Sequence, residues 1–374
     1  MSSDSTSTIG LVSSVVAVSW GFIVKNEKLS TPAAWQNYFQ EIGLPQGLVE
    51  AYSGYASRLL KSGLPVIFEI RHLSLLLGVS EGFLNSIHNA SKYHYRNFSI
   101  KKRGGGQREI EAPRSALKKC QNWVLKEVIE KIRSHDAATG FRKGCSVVKH
   151  AARHVGNSST LKMDFKDFFP SIKKRRIVAL FEYLGYSKSV SLYLASICCL
   201  GDRLPQGAPT SPSLSNIVAR KFDARVTALA NKRGWRYSRY ADDIAITGHD
   251  VRFSLSKLIA AIAKNEGFEI NDSKSRLMRP GSRRIITGVA IRNSSLTLPR
   301  PYRRELVQEV HYISKYGVFS HASKTKQRDP LLLERIKGKL AFWLQVEPRS
   351  KVALSLLEKL QKATTFWDSR NQIY

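Results

Sequence analysis

The sequence predicts an α+β fold built around an antiparallel sheet. Three observations predict it. First, "STLKMDFKDFFPSI" reads as a strand running into a turn at Pro170, and "WRYSRYADDIAIT" downstream reads as a hairpin, with a helical pattern between them. That β-α-β-β order lets the strands be neighbours in one sheet. Second, "YRNFSIKKRGGGQREIEAP" alternates around a glycine-rich basic turn, the signature of another hairpin. Third, the pattern is helical from about Pro301 onward.

The elements follow in chain order. Residues 1–65 read as an N-terminal extension of unassigned role. Within it, Ser5 to Val24 carries no charge. The apolar run "IGLVSSVVAVSWGFIV" is short and serine-studded for a membrane helix, and no positive charge precedes it as in a secretory signal. It reads as a buried or partner-facing segment, and a membrane partner is not expected. "LPVIFEIRHLSLLLGVSEGFLNSIHNA" is helical, with Ser80 as N-cap of a new helix. "LKKCQNWVLKEVIEKI" is an amphipathic helix. "RLPQGAPTSPSLSN" opens as a rigid Pro/Gly loop and enters a helix with Ser211 as N-cap and Pro212 at its first position. Leu214, Ile217, Val218, Phe222, Val226 and Leu229 share one face of that helix. "FSLSKLIAAIAKNEGFEIN" reads as helix, turn and short strand, and "RRIITGVAI" and "SLTL" read as strands.

Composition bounds the function. The chain has 374 residues, 43% of them hydrophobic, enough to bury the cores of two or three subdomains. It carries 60 Lys and Arg against 29 Asp and Glu, a net charge of +31. Such an excess implies a polyanionic partner. The basic residues recur along the whole length, in "KKRGGGQR", "KKRR", "RPGSRR" and "RPYRR", as a groove gripping a phosphate backbone would require. From Pro299 onward there are fifteen basic residues against seven acidic. The four cysteines form neither a zinc pattern nor a disulfide framework, which suits a reducing, cytoplasmic setting. "GGG" at Gly104–Gly106 lacks the Lys-Ser/Thr ending of a P-loop, which argues against a nucleotide hydrolase of that kind.

Against this basic background, Asp164 lies inside an apolar strand, and Asp242 and Asp243 lie side by side in a hairpin turn. A solvated turn accepts aspartates. Carboxylates that converge from two strands instead repel one another unless a cation lies among them, and hard oxygen ligands suit Mg²⁺.

These residues resemble a known family. "MDFKDFFPSI", "LPQGAPTSPSLSN" and "YADD", in that order and spacing, resemble the palm motifs of reverse transcriptases, over roughly residues 66–345. "HYRNFSIKKRGGGQREIEAPRSALKKCQNWVL" resembles the fingers of bacterial retron and defence-associated enzymes, and "GFRKGCSVVKHAARHVG" the stretch before their first catalytic aspartate. "RRIITGVAI" is similar to the retron V-T-G element with Ile286 in place of valine, and "NASKYH" to the N-A-x-x-H signature with His94 one residue late.

The resemblance implies a right-hand polymerase: fingers over 66–160 with part of 171–205, palm over 161–292, and a short helical, RNA-binding thumb over 293–374. It implies RNA-templated DNA synthesis with two Mg²⁺ ions. Asp164 and Asp242 would ligate the metals, with Phe165 counted in the metal site and Asp243 completing the acidic cluster, and the backbone through Phe165 and Lys166 would lie near the triphosphate. Phe169 would be the steric gate against a ribose 2′-OH, and Gln206 would touch the incoming nucleotide. Arg108, with Lys102, would grip its phosphates, and Lys274 would protonate the leaving pyrophosphate. Thr287 and Gly288 would lie near the primer end. The implied partners are deoxynucleoside triphosphates, a structured non-coding RNA as template and primer, the DNA product and an effector protein. Self-association through the N-terminal extension is a further expectation. Two other readings stay open at this point: a defence-associated reverse transcriptase outside the retrons, and a catalytically silent RNA-binding protein on the same fold.

Overall fold

The computed structural model describes residues 29–371 apart from 102–104, 157, 293, 319, 321–322 and 324–328, with side chains described as far as residue 363. The apolar run at 9–24 and Lys102 lie outside the described residues. The chain divides into two interleaved units. The first comprises residues 1–136, 165–224 and 262–269; the second comprises 137–164, 225–261 and 270–374.

The first unit is mainly helical. Helix Pro32–Glu41 begins where sequence chemistry favours it: Thr31 accepts from the Ala34 N–H at 3.2 Å, and proline occupies the first turn. Trp35 and Phe39 from this helix pack with Tyr52 and Phe68, ring centroids 5.3–5.7 Å apart. Ser80 caps helix Glu81–Ala90 through the Phe83 N–H at 3.1 Å, as its position predicts. Strands β1 (Tyr95–Lys101) and β2 (Gln107–Pro113) pair antiparallel with Ile100 opposite Arg108. Only the root of this hairpin is buried.

The loop predicted to enter a helix at Ser211 does so one residue earlier. Thr210 occupies the N-cap position, and Ser211 is the first helical residue. The single helix expected from there is two, Ser211–Val218 and Arg220–Lys232, parted at Ala219. Leu214, Ile217, Phe222 and Val226 are nevertheless all buried, since the apolar face survives the break.

The second unit holds the predicted sheet. Strands β3 (Ser159–Asp164), β4 (Arg236–Tyr240), β5 (Asp243–Gly248) and β6 (Arg276–Met278) pair antiparallel in the order β4-β5-β3-β6. "RRIITGVAI" is not one strand but two, β7 (Arg284–Ile286) and β8 (Val289–Ile291), folded back on each other, with β9 (Leu296–Thr297) beside β8. The reversal falls on Thr287 and Gly288, at φ +45° and +84°. Two positive φ values in a two-residue loop are what a type I′ hairpin requires.

Helices Arg300–Tyr316, Leu332–Val346 and Lys351–Asn371 complete this unit. Leu306, Val310, Ile313, Ile336, Leu340, Trp343 and Leu360 close over one another in the same core cluster as Ile286 and Val289. Each such side chain contributes about 1.5–3 kcal/mol by leaving water. No helix among the described residues is long and apolar enough to cross a membrane.

Candidate active site

The site is built by register. β3 and β5 pair so that Asp164 lies directly opposite Asp243, at the strand ends. β4 and β5 are joined by a two-residue turn, Ala241–Asp242, closed by the pair Tyr240 and Asp243. Ala241 has φ +56°, so the first central residue of the turn takes the position usually given to glycine in a II′ hairpin. The turn therefore delivers one aspartate at its tip and the next at its closing pair.

Asp164 is 6% exposed. Lys162, two residues earlier on β3, puts its Nζ 2.9 Å from Asp243 Oδ1. Lys274, on the single helical turn Asp272–Lys274, donates to Asp164 Oδ2. The Asn271 N–H donates to the Asp164 carbonyl at 2.7 Å, fixing the segment that carries Lys274.

Burial works to raise both carboxyls. At Asp164 the hydrogen bonds with Asp243 and Lys274 outweigh it, and the group lies below the ordinary carboxylate range. At Asp243 burial, reinforced by the hydrogen bond with Asp164, outweighs Lys162, and the group is pushed up to about 7. The hydrogen bond to Asp164 in turn raises Lys274, and the charges of Asp242 and Asp243 act the same way. Two unit charges ~4 Å apart repel by about 4 kcal/mol at an effective dielectric of 20, so such a pair needs cationic company.

The donor set fits a hard divalent cation. Among the described residues no group of three or more His, Cys, Asp or Glu side chains forms a closed metal cage. The structure brings Asp164 and Asp243 together, with Asp242 next in the chain. One or two carboxylates, completed by water and substrate phosphates, are what Mg²⁺ commonly takes. Lysine ammonium groups beside both facing carboxylates mark this as a place where positive charge is favoured.

Comparison with known proteins gives the family. The family model described as "Reverse transcriptase (RNA-dependent DNA polymerase)" matches residues 100–316. Retron Ec86 reverse transcriptase of Escherichia coli is 31% identical over 310 residues, covering 82% of this chain and 93% of its own. The chain belongs to the retron reverse transcriptases. Retron Mx65 reverse transcriptase of Myxococcus xanthus is 37% identical over 279 residues, 68% of this chain and 65% of that protein. Retron Mx162 reverse transcriptase, also of Myxococcus xanthus, is 30% identical over 304 residues, 73% of this chain and 62% of that one. This reverse transcriptase is thus an RNA-directed DNA polymerase, with nucleic acid as template and product.

The other expected residues of the reverse transcriptase fall as follows. In the first unit Arg108 is exposed on β2. Phe165 is buried, stacked on Phe168 at 5.2 Å, and Phe169 is half-buried with its ring 5.6 Å from that of Phe168. The Gln206 loop is laced to β2. The Glu111 N–H donates to the Gln206 carbonyl at 2.9 Å, and the Gln206 N–H donates to Glu111 Oε2 at 3.3 Å. Glu111 also takes both terminal nitrogens of Arg203, at 2.7 and 2.5 Å. In the second unit the Thr287 hydroxyl donates to the Val147 carbonyl at 3.4 Å. His94 shares a hydrogen bond with the Ser86 hydroxyl at 2.9 Å and packs edge-on against Phe83, a structural role.

Sequence reasoning missed Lys162. Its signal was available: on a strand, the residue two before Asp164 projects on the same face. It also missed a buried polar chain in the second unit. His150 Nδ1 lies 2.8 Å from the Thr139 hydroxyl and 3.1 Å from that of Ser238. His154 bridges Ser238 at 2.6 Å and Thr247 at 2.8 Å, and Thr247 reaches Thr160 at 3.0 Å. No local pattern marks these residues, because their partners are some ten to ninety positions away.

Proposed function

We propose that Asp164, Asp242 and Asp243 hold two Mg²⁺ ions for DNA synthesis, and that the enzyme copies a cognate structured non-coding RNA into the DNA part of a branched RNA–DNA molecule. The observation that supports this reading best is the register of Asp164 against Asp243, with a lysine at each carboxylate. When bound, the ions activate the attacking hydroxyl and stabilise the leaving pyrophosphate. Lys274 holds a proton that its pairing with Asp164 keeps in place, and it is the residue suited to protonate that leaving group.

The remaining roles follow from family resemblance. Arg108 and Lys102 hold the triphosphate, Gln206 contacts the incoming nucleotide, and Phe169 excludes the ribose 2′-OH. The backbone at Phe165 lies beside the first metal-holding carboxylate, and Thr287 and Gly288 attend the primer end. A 2′-OH of the cognate RNA primes synthesis, the product serves anti-phage defence together with an effector protein, and the setting is cytoplasmic. The residues after 293 contact RNA, and residues 1–65 contribute to partner or self-association.

Primer extension on an RNA template tests the catalytic assignment. The double variant Asp242→Asn, Asp243→Asn is expected to lose extension by a factor of at least ~10³ while still binding template. Extension equal to the parent's would remove the carboxylates from the mechanism. Sequencing of nucleic acid that copurifies tests the product: a 2′-linked branch is expected, and only unbranched DNA would overturn it.

A further inference from the structure

The Ala241–Asp242 turn is held from outside its own sheet. Residues 137–140 run alongside β4 as a short parallel partner. The Arg239 N–H donates to the Ala137 carbonyl at 2.8 Å, and the Thr139 N–H donates to the Arg239 carbonyl at 2.7 Å. The next residue, Gly140, lies against the turn itself. A Cβ there would come within 2.6 Å of the Ala241 nitrogen and 3.2 Å of the Tyr240 carbonyl carbon. Backbone atoms cannot swing aside as a side-chain end can, so only glycine fits without moving the turn.

Two side chains complete the grip. Arg239 is fully buried and donates from its guanidinium to the Ala241 carbonyl at 2.8 Å. The Thr139 hydroxyl donates to the Arg239 carbonyl at 3.0 Å and meets His150 Nδ1 at 2.8 Å. Through His150, Ser238, His154 and Thr247 that contact continues to Thr160 on β3, the strand that carries Asp164. Ala241 needs such support. An alanine at positive φ costs about 1–2 kcal/mol and persists where its surroundings over-determine it.

We infer that residues 137–140 form a positioning strap, in which the bare backbone of Gly140 and the hydroxyl of Thr139 lock the Tyr240–Asp243 turn in register with Asp164. Neither residue touches substrate; each acts through the turn. The inference rests on the proposed catalytic role of Asp242 and Asp243. A small displacement of those carboxylates slows chemistry while leaving substrate binding intact, since an error of ~1 Å can cost about 10²-fold in rate.

The test is steady-state primer extension on RNA by the full chain, with template-primer affinity and thermal unfolding measured for each variant. Gly140→Ala and Thr139→Val are expected to lower kcat by about 10- to 100-fold, with KM for deoxynucleotide and Kd for template-primer within about 2-fold of the parent. Thr139→Ser keeps the hydroxyl and is expected to stay within about 3-fold of the parent's kcat. The inference is overturned if Thr139→Val and Gly140→Ala keep the parent's kcat. It is equally overturned if Thr139→Ser is as slow as Thr139→Val, or if lost rate merely tracks lost folded fraction. Asp242→Asn is run beside them: full activity in that variant would sink the reading of the carboxylates, a result distinct from failure of the strap.

Discussion

Lys162 Nζ stands 2.9 Å from Asp243 Oδ1, reaching across from the neighbouring strand. Its register partner is Ala245, so the side chain leans two residues along the sheet toward the turn. The contact is largely buried, with 19% and 24% of the two side chains exposed. Lys162 is therefore the resident counter-charge of a carboxylate pair that otherwise repels. Lys162→Met is expected to destabilise the metal-free protein by about 1–3 kcal/mol, between the values for exposed and buried pairs. Added Mg²⁺ should restore part of that loss. Urea unfolding with chelator and with Mg²⁺ checks both.

The buried histidines set an acid limit on stability. Burial alone pushes His72 down to about 4. Burial, aided by the charges of Arg153 and Lys162, takes His150 down to about 3. A histidine is near 6.5 in an unfolded chain, so acid protonates the unfolded form first. The stability these two histidines contribute is fully present above about pH 6.5 and is lost progressively as pH falls toward 4 and then 3. The loss from His72 alone is on the order of 3 kcal/mol by pH 4. Between pH 7.5 and 4.5 Asp243, raised to about 7, gains stability on protonation and offsets part of this loss, so the check is a comparison: denaturation midpoints of the parent should fall relative to those of His72→Phe, whose ring can keep the stack on Phe68.

Gly207 and Glu111 lock the Gln206 loop to the β1–β2 hairpin. Gly207 has φ +143°, and a Cβ there would lie 2.7 Å from the Glu111 carbonyl oxygen. Gly207→Ala is expected to cost about 1–3 kcal/mol and to raise KM for deoxynucleotide more than it lowers kcat. Glu111→Gln, which weakens the Arg203 bond, should cost only about 1–2 kcal/mol, because Arg203 is a third exposed. Thermal unfolding and steady-state kinetics read the two effects separately.

The net charge of +31 predicts that binding of the nucleic-acid template is a salt-dependent equilibrium. If six to ten phosphates are contacted, affinity should fall by about 10³–10⁵ between 50 and 200 mM salt. A filter-binding series gives the slope directly, and a flat response would show that the basic residues do not grip the backbone.

The features legible in the sequence are those that depend on local chemistry. The Ser80 cap, the β1–β2 hairpin and the strand nature of 159–164 follow from spacing and turn residues. The pairing of β3 with β5 was legible too, because an aspartate inside an apolar strand and two in a turn have few other reasons to exist. What the chain conceals is set by distant partners. The reversal within "RRIITGVAI" depends on Thr287 accepting a positive φ, which β-branched residues resist. The break at Ala219 leaves the apolar face continuous, so periodicity cannot reveal it. Lys162 and Thr139 acquire their partners only when strands dozens of residues apart come into register.

The most direct measurement is divalent-cation binding, with Mn²⁺ as a spectroscopic probe titrated by electron paramagnetic resonance into the full chain and into Asp164→Asn. The facing carboxylates predict binding in the parent, competed away by Mg²⁺, and at least tenfold weaker in a variant that still unfolds cooperatively. Equal affinity in the two proteins would contradict the claim that Asp164 and Asp243 meet to hold a metal ion.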